Sequence, residues 1–142
     1  MAEKFVVDQN ELKRRLTPLQ YSVTQEAYTE KPFSGKFENN FTTGTYSCVV
    51  CFEDLFSSDT KYDAGCGWPS FFDSLDKSKF NFKPCYKKAP RIRTEVTCAK
   101  CDAHLGHIFG DGPKPKGQRF CINSAALNFR IPNESSESDD SL

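Results

Sequence analysis

The stretch GQRFCINSAAL, residues 117–127, decides how this chain is read. In a period-2 strand Phe120 and Ile122 point to one side, and Arg119, Cys121 and Asn123 to the other. The apolar side is a core face, and the run from Ser124 to Leu127 reads as a short turn or helical piece. The other side looks exposed, and it carries a thiol beside a cation and an amide. That is an odd place for a sulfur that only packs.

Outward from there, the middle of the chain stays strand-like. Gly44 to Val50 is rich in Thr, Tyr and Val, and RIRTEV alternates Ile92, Thr94 and Val96 against Arg91, Arg93 and Glu95. KPFSGKFENNF is turn-rich and DGPKPKGQ is a loop by composition. Helix signals are confined to the first 30 residues. Asn10 can cap a short helix in which Leu12 and Leu16 share a face. Thr17-Pro18-Leu19-Gln20 then has the form of a capping box with proline at the first helical position. Tyr21 and Val23 would pack from that second helix. The body therefore reads as mainly antiparallel β, with thirteen phenylalanines to fill the core.

A length of 142 residues suits one domain, assigned to 1–132. The acidic, serine-rich end NESSESDDSL, residues 133–142, is expected to be a disordered tail. Net charge is zero, and setting aside the four acids of that end leaves 19 bases against 15 acids. Such an excess gives no case for a nucleic-acid or membrane partner. The opening MAEKFVVDQN does not read as a signal peptide, and no stretch is long enough to span a bilayer. The expected compartment is the reducing cytosol, with the nucleus open to so small a protein. Seven cysteines there need a use other than static disulfides, and an odd count already argues against complete pairing.

Four of them form two C-x-x-C knuckles, Cys48 with Cys51 and Cys98 with Cys101. Each puts two thiolates on one tight turn, and two turns brought together make a tetrahedral sulfur cage suited to one zinc ion. Coincidence, or a redox dithiol, is the competing reading. The 46 residues between Cys51 and Cys98 must fold as part of the body, so the metal would fasten two strands of a larger domain. A site filled by four thiolates has no open position, which makes the ion structural.

Cys66, Cys85 and Cys121 remain. Cys85 has no polar constellation around it and reads as an ordinary structural or exposed thiol. Cys66 lies in DAGCGWPSF, beside the only tryptophan, Trp68. Either it is a turn cysteine with Trp68 buried, or its two flanking glycines give it freedom to attack a neighbouring sulfur. Both histidines fall in AHLGHIF, at His104 and His107. With the metal role already taken, they are either ordinary hydrogen-bonded residues or proton carriers near a thiol.

Taken in order, C-x-x-C, GCGWPSF, C-x-x-C, HLGHIFGDGP and RFCINSAALNF resemble the B-type methionine sulfoxide reductases, which act on the R epimer at sulfur. LTPLQYSVTQ and KPFSGKF resemble the N-terminal part of that family, so the likeness runs from about residue 11 to 132. It implies a pair of small antiparallel sheets with peripheral helices, pinned by zinc at Cys48, Cys51, Cys98 and Cys101. It implies Cys121 as nucleophile, Cys66 as resolving cysteine, and Trp68 as the aromatic wall receiving the substrate's terminal methyl. His104, His107 and Asn123 match polar groups around the sulfoxide oxygen, and Arg119 a basic position near the nucleophile. The departures are mild: Phe120 where tyrosine is common, Ile108 where valine is common, and no glycine in QEAYTEKPF.

The activity expected from the resemblance is reduction of methionine-R-sulfoxide, in oxidised proteins or free. Cys121 would become a sulfenic acid, Cys66 would condense with it to a disulfide, and thioredoxin would reduce that disulfide. A monomer is expected. The competing classes are a zinc-dependent binding module and a zinc-containing chaperone on the same scaffold. Both leave Cys66 and Cys121 without a role, and no basic stripe accompanies the knuckles.

Overall fold

The structure, a computed structural model, describes residues 6–85 and 93–132. The expected acidic tail, the thiol of Cys85, and Arg91 and Ile92 of RIRTEV lie outside the described residues.

Two helices come first. α1 (Gln9–Arg15) is capped by Asp8, whose carboxylate accepts from the Asn10 and Glu11 amides at 3.0 and 3.3 Å. This corrects the expectation that Asn10 is the cap. A capping residue must have extended backbone outside the helix, as Asp8 does, whereas Asn10 already lies within it. α2 (Pro18–Glu26) opens on the capping box as read: the Gln20 amide donates to Thr17 Oγ1, and the Thr17 amide to Gln20 Oε1. Leu12, Leu16 and Val23 are buried. α2 ends on Ala27 in the left-handed region, φ 56°, where glycine would sit without strain.

Among the described residues nine strands follow: β1 (Thr45–Cys48), β2 (Asp54–Ser57), β3 (Lys61–Tyr62), β4 (Ser70–Phe71), β5 (Phe80–Cys85), β6 (Arg93–Cys98), β7 (His104–Phe109), β8 (Arg119–Ile122) and β9 (Leu127–Arg130). They form the two antiparallel sheets expected, one of order β2-β1-β9 and one of order β3-β4-β8-β7-β6-β5. Helical structure is not confined to the N-terminal part. Single 3-10 turns stand at Ser58–Thr60, Lys77–Lys79 and Ser124–Ala126, the last being the short piece read in SAAL.

Strand β8 is not the exposed strand its sequence suggested. It is hydrogen-bonded on both sides, by β4 and β7. Two rows of side chains cross the larger sheet there. Phe71, Phe120, Ile108 and Thr94 are cross-strand neighbours in one, and Ser70, Cys121, His107 and Glu95 in the next. Successive side chains point to opposite faces, so the first row turns to the core and the second away from it.

The core joins the two sheets through aromatic rings. Phe56 on β2 stacks on Phe71 at 4.2 Å between centroids and meets Phe120 and Phe80 at 5.3 and 5.4 Å. Such pairs add about 0.5–1.5 kcal/mol each beyond the area they bury. These four phenylalanines fill the core as expected, while Phe33, Phe41, Phe52 and Phe82 are exposed. β1 of one sheet ends on Cys48 and β6 of the other on Cys98, so the knuckles hang from both sheets.

Candidate functional site

The two C-x-x-C turns share one backbone design. The Phe52 amide donates to the Cys48 carbonyl and the Asp102 amide to the Cys98 carbonyl, at 2.8 and 2.7 Å. The Cys48 and Cys98 amides donate onward to Glu53 and Ala103, both at 2.9 Å. Phe52 and Asp102 take matching positive φ values of 64° and 66°, which folds the chain back behind each pair. Arg15 braces the first turn by donating to the Val49 and Val50 carbonyls, each at 3.0 Å.

These turns bring four buried sulfurs within 4.8 Å of one another, with Cys48 to Cys101 and Cys51 to Cys98 both at 3.6 Å. A tetrahedral ion with bonds of about 2.3 Å to sulfur holds its ligands about 3.8 Å apart, so the set fits a metal ion of that kind. The charge balance agrees. Hydrogen bonds from Cys101, Cys48 and Cys51 hold the Cys98 thiol far below its usual range, while those with Cys101, Cys51 and Cys98 push Cys48 far above it. Four sulfurs this close cannot all be anionic unless a cation joins them.

On the outward row of the larger sheet stand the other two thiols. Cys121 Sγ lies 3.4 Å from Cys66 Sγ, and both are half-buried. Cys66 sits in the loop before β4, between Gly65 at φ 72° and Gly67 at φ 96°. A side chain at Gly67 would run into Pro32, so the loop can lie this close only with glycine there. The Ser70 hydroxyl, 3.1 Å from Cys66 Sγ and opposite Cys121 in register, completes a polar cradle. Each thiol shifts the other. The hydrogen bond from Cys121 outweighs burial and brings Cys66 down to about 5; the same contact, together with burial, pushes Cys121 up. Arg119 pulls both downward.

Arg119 is less available than the sequence suggested. Its guanidinium makes a two-pronged bond to Asp111, at 2.8 and 3.1 Å, and lies 4.4 Å from the centre of the Phe109 ring. Asp111 was missed because it lies across a loop, eight residues away.

The histidines meet through a bulge. Thr97 pairs with His104 but Val96 with Gly106, so Leu105 is an extra residue on β7. In a regular strand, residues three apart face opposite ways; the extra residue returns both imidazoles to one face, 5.7 Å apart. His107 is the cross-strand neighbour of Cys121. His104 is buried, and its Nδ1 is 2.8 Å from Glu95 Oε2. Glu95, opposite His107, was missed as well; its only sequence signal was being the acid of an alternating strand. Gly106 between the histidines lets β7 and β8 close up, since a side chain there would land on the Cys121 carbonyl oxygen.

Trp68 is half-buried and donates its indole N–H to the Glu30 carbonyl at 3.0 Å. Asn123 does not stay on the thiol's face as period 2 implied. It turns inward beyond the strand end, donates Nδ2–H to the Leu105 carbonyl at 3.0 Å, and accepts the Glu30 amide at 2.9 Å. The structure therefore brings Cys66, Cys121, His107, Arg119 and Ser70 to one face, with Glu95 and His104 behind His107. Asn123 is engaged with backbone.

Most of the chain is similar to known proteins. Residues 16–131 match the SelR domain. The chain is 52% identical over 139 residues to methionine-R-sulfoxide reductase B1 of Drosophila melanogaster, covering 90% of this chain and 67% of that one. It is 45% identical over 138 residues to peptide methionine sulfoxide reductase MsrB of Hahella chejuensis, covering 97% and 99%. It is 49% identical over 138 residues to the mitochondrial methionine-R-sulfoxide reductase B3 of Mus musculus, where it spans 97% of itself but 54% of the relative.

Proposed function

Because this chain belongs to the SelR-domain family, the B-type methionine sulfoxide reductases, we propose that it reduces methionine-R-sulfoxide to methionine through Cys121, with Cys66 resolving the product. The observation that carries this reading is the thiol pair at 3.4 Å on a half-exposed face beside His107 and Arg119.

A sulfoxide is positive at sulfur and negative at oxygen. The Cys121 thiolate attacks that sulfur, its proton passing along the 3.4 Å contact to Cys66. A proton from His107, the nearer histidine in register, neutralises the oxygen, which leaves bound to Cys121 as a sulfenic acid. Glu95 holds the His104 ring by Nδ1, and the bulge keeps that ring against His107. Methionine departs two electrons richer. The Cys66 sulfur then displaces hydroxide from Cys121, which leaves as water once protonated, and a disulfide forms. A disulfide needs about 2.05 Å between sulfurs, a short approach for a residue hinged between two glycines. A thioredoxin dithiol restores both thiols by exchange.

Specificity comes from shape: Trp68 offers a flat apolar face to the methyl while the polar row takes the oxygen, so the S epimer would present each group to the wrong wall. Cys48, Cys51, Cys98 and Cys101 would hold one zinc ion, whose contribution would be to fasten the two sheets. The protein acts as a monomer on oxidised proteins, and a reducing compartment such as the cytosol suits its thiols. The test is reduction of separated R and S sulfoxide epimers with thioredoxin as donor. Turnover of R alone is expected, and turnover of neither epimer overturns the proposal.

A further inference from the structure

We infer that Glu30 is a positioning residue of this site: its buried carboxylate fixes a backbone joint that sets the Trp68 indole against the strand carrying Cys121. The inference rests on the reading of Trp68 as a substrate wall, but its first measurement does not.

Glu30 lies in the loop after α2, and only 1% of its surface is exposed. Both carboxylate oxygens are taken: Oε2 accepts the Ser124 amide at 2.8 Å and Oε1 the Ala125 amide at 3.0 Å. Its main chain is taken too. The amide donates to Asn123 Oδ1 at 2.9 Å, and the carbonyl accepts the indole N–H of Trp68 at 3.0 Å. Three of these four bonds reach the residues directly after β8, the strand of Cys121, and the fourth holds the indole.

There is little slack around the joint. A side chain at Gly35 would strike both Ser124 Oγ and Glu30 Oε2. The carboxylate also sits where burial raises its pKa against the pull of the two amides and the Ser124 hydroxyl, and none of these partners is a cation. A carboxylate is a costly way to cap a three-residue turn. It is an effective way to hold two backbone segments more than 90 residues apart in sequence at one fixed offset. The carboxylate touches no reacting atom, so it acts through Trp68 and Asn123.

Trp68 is the only tryptophan in the chain, so its emission reports on this joint alone. The experiment compares the zinc-loaded full chain with Glu30→Gln, which keeps the shape but sets an amide NH2 against a backbone N–H, and with Glu30→Ala. Glu30→Gln is expected to shift Trp68 emission to the red. It should also raise KM for the R-sulfoxide of a blocked methionine about ten-fold while kcat changes less than about three-fold, the signature of a displaced binding wall. Glu30→Ala should be worse on both counts. Unchanged emission and KM in Glu30→Gln, with only a lowered melting temperature, would make Glu30 a plain cap and overturn the inference. So would a Glu30→Gln chain that does not fold. If the parent reduces neither epimer, the reductase reading fails, and the emission comparison alone then supports or overturns the joint.

Discussion

The four-thiol cluster and the Cys66–Cys121 pair hold their sulfurs almost equally close, at 3.6 and 3.4 Å, and differ in nearly everything around them. Each cysteine of the cluster is buried, and each turn is locked by a repeated set of backbone hydrogen bonds. The pair is half-exposed, and one member rides on a loop between two positive-φ glycines. Distance does not separate a structural thiol from a reactive one. What separates them is burial, the hydrogen bonding of the backbone that carries them, and whether the neighbours are other sulfurs or polar groups. Four buried sulfurs on locked turns fit a cage, whereas two half-exposed ones, one of them flanked by glycines, suit the reversible bond proposed above.

The sharpest way to break this comparison is to damage the cage. Cys98→Ser, or stripping the metal with a chelator, is expected to unfold the domain. Zinc binding to such sites is worth about 10–16 kcal/mol, against a net stability of about 5–15 kcal/mol for a typical domain. Far-UV circular dichroism with and without chelator checks it. A well-folded metal-free chain would show that the aromatic contact between the sheets suffices, and that the cage is not the fastener.

Cys121→Ser should do the reverse: fold and metal content stay, and methionine release from the R-sulfoxide drops to background even in a single turnover. Retained single-turnover activity would remove Cys121 as the nucleophile and erase the distinction between the two groups of thiols.

Much of this contrast was legible before any coordinates. The knuckles are local turns, so spacing alone identified them. The two faces of β8 followed from period 2, and the capping box of α2 from four consecutive residues. What stayed hidden depends on pairing between distant strands. The bulge at Leu105 puts His104 and His107 on one face, but nothing inside AHLGHIF shows an extra residue; it exists only relative to β6. Glu95, Ser70 and Asp111 enter the site through register and loop closure. Asn123 and Glu30 were misplaced or unseen because their bonds span 18 to 95 residues. Asp8 displaced Asn10 as a cap because two acceptable capping residues, two positions apart, differ only in where the backbone turns extended.

Cys66→Ser refines the comparison inside the pair. It should release one equivalent of methionine per chain and then stall with thioredoxin. It should also change the chemistry of Cys121. The hydrogen bond and charge of Cys66 push that thiol up, and Arg119 pulls it down; removing Cys66 leaves the downward pull opposed only by burial. The pH midpoint of Cys121 alkylation should therefore fall in Cys66→Ser. In Cys121→Ser the midpoint of Cys66 should rise from about 5, because its largest stabilising bond is gone. Iodoacetamide rates against pH measure both, and midpoints that move the other way would show that the two thiols do not share a proton.

The smallest effect belongs to Asp111→Asn. The carboxylate is 66% exposed while the Arg119 side chain is 16% exposed, so losing this ion pair should cost only about 0–1 kcal/mol of stability. Its consequence lies with the thiols. Arg119 lowers both, and a neighbouring anion offsets part of that charge. With the anion replaced by a neutral amide, the cation acts less opposed, so the alkylation midpoint of the pair should move down by less than about one pH unit. That sign depends on Arg119 staying in place, and its contact with the Phe109 ring provides an independent hold. A midpoint that rises instead would mean that Asp111 serves to aim the guanidinium rather than to temper it, and the reactivity of the pair would then depend on the loop that carries Asp111.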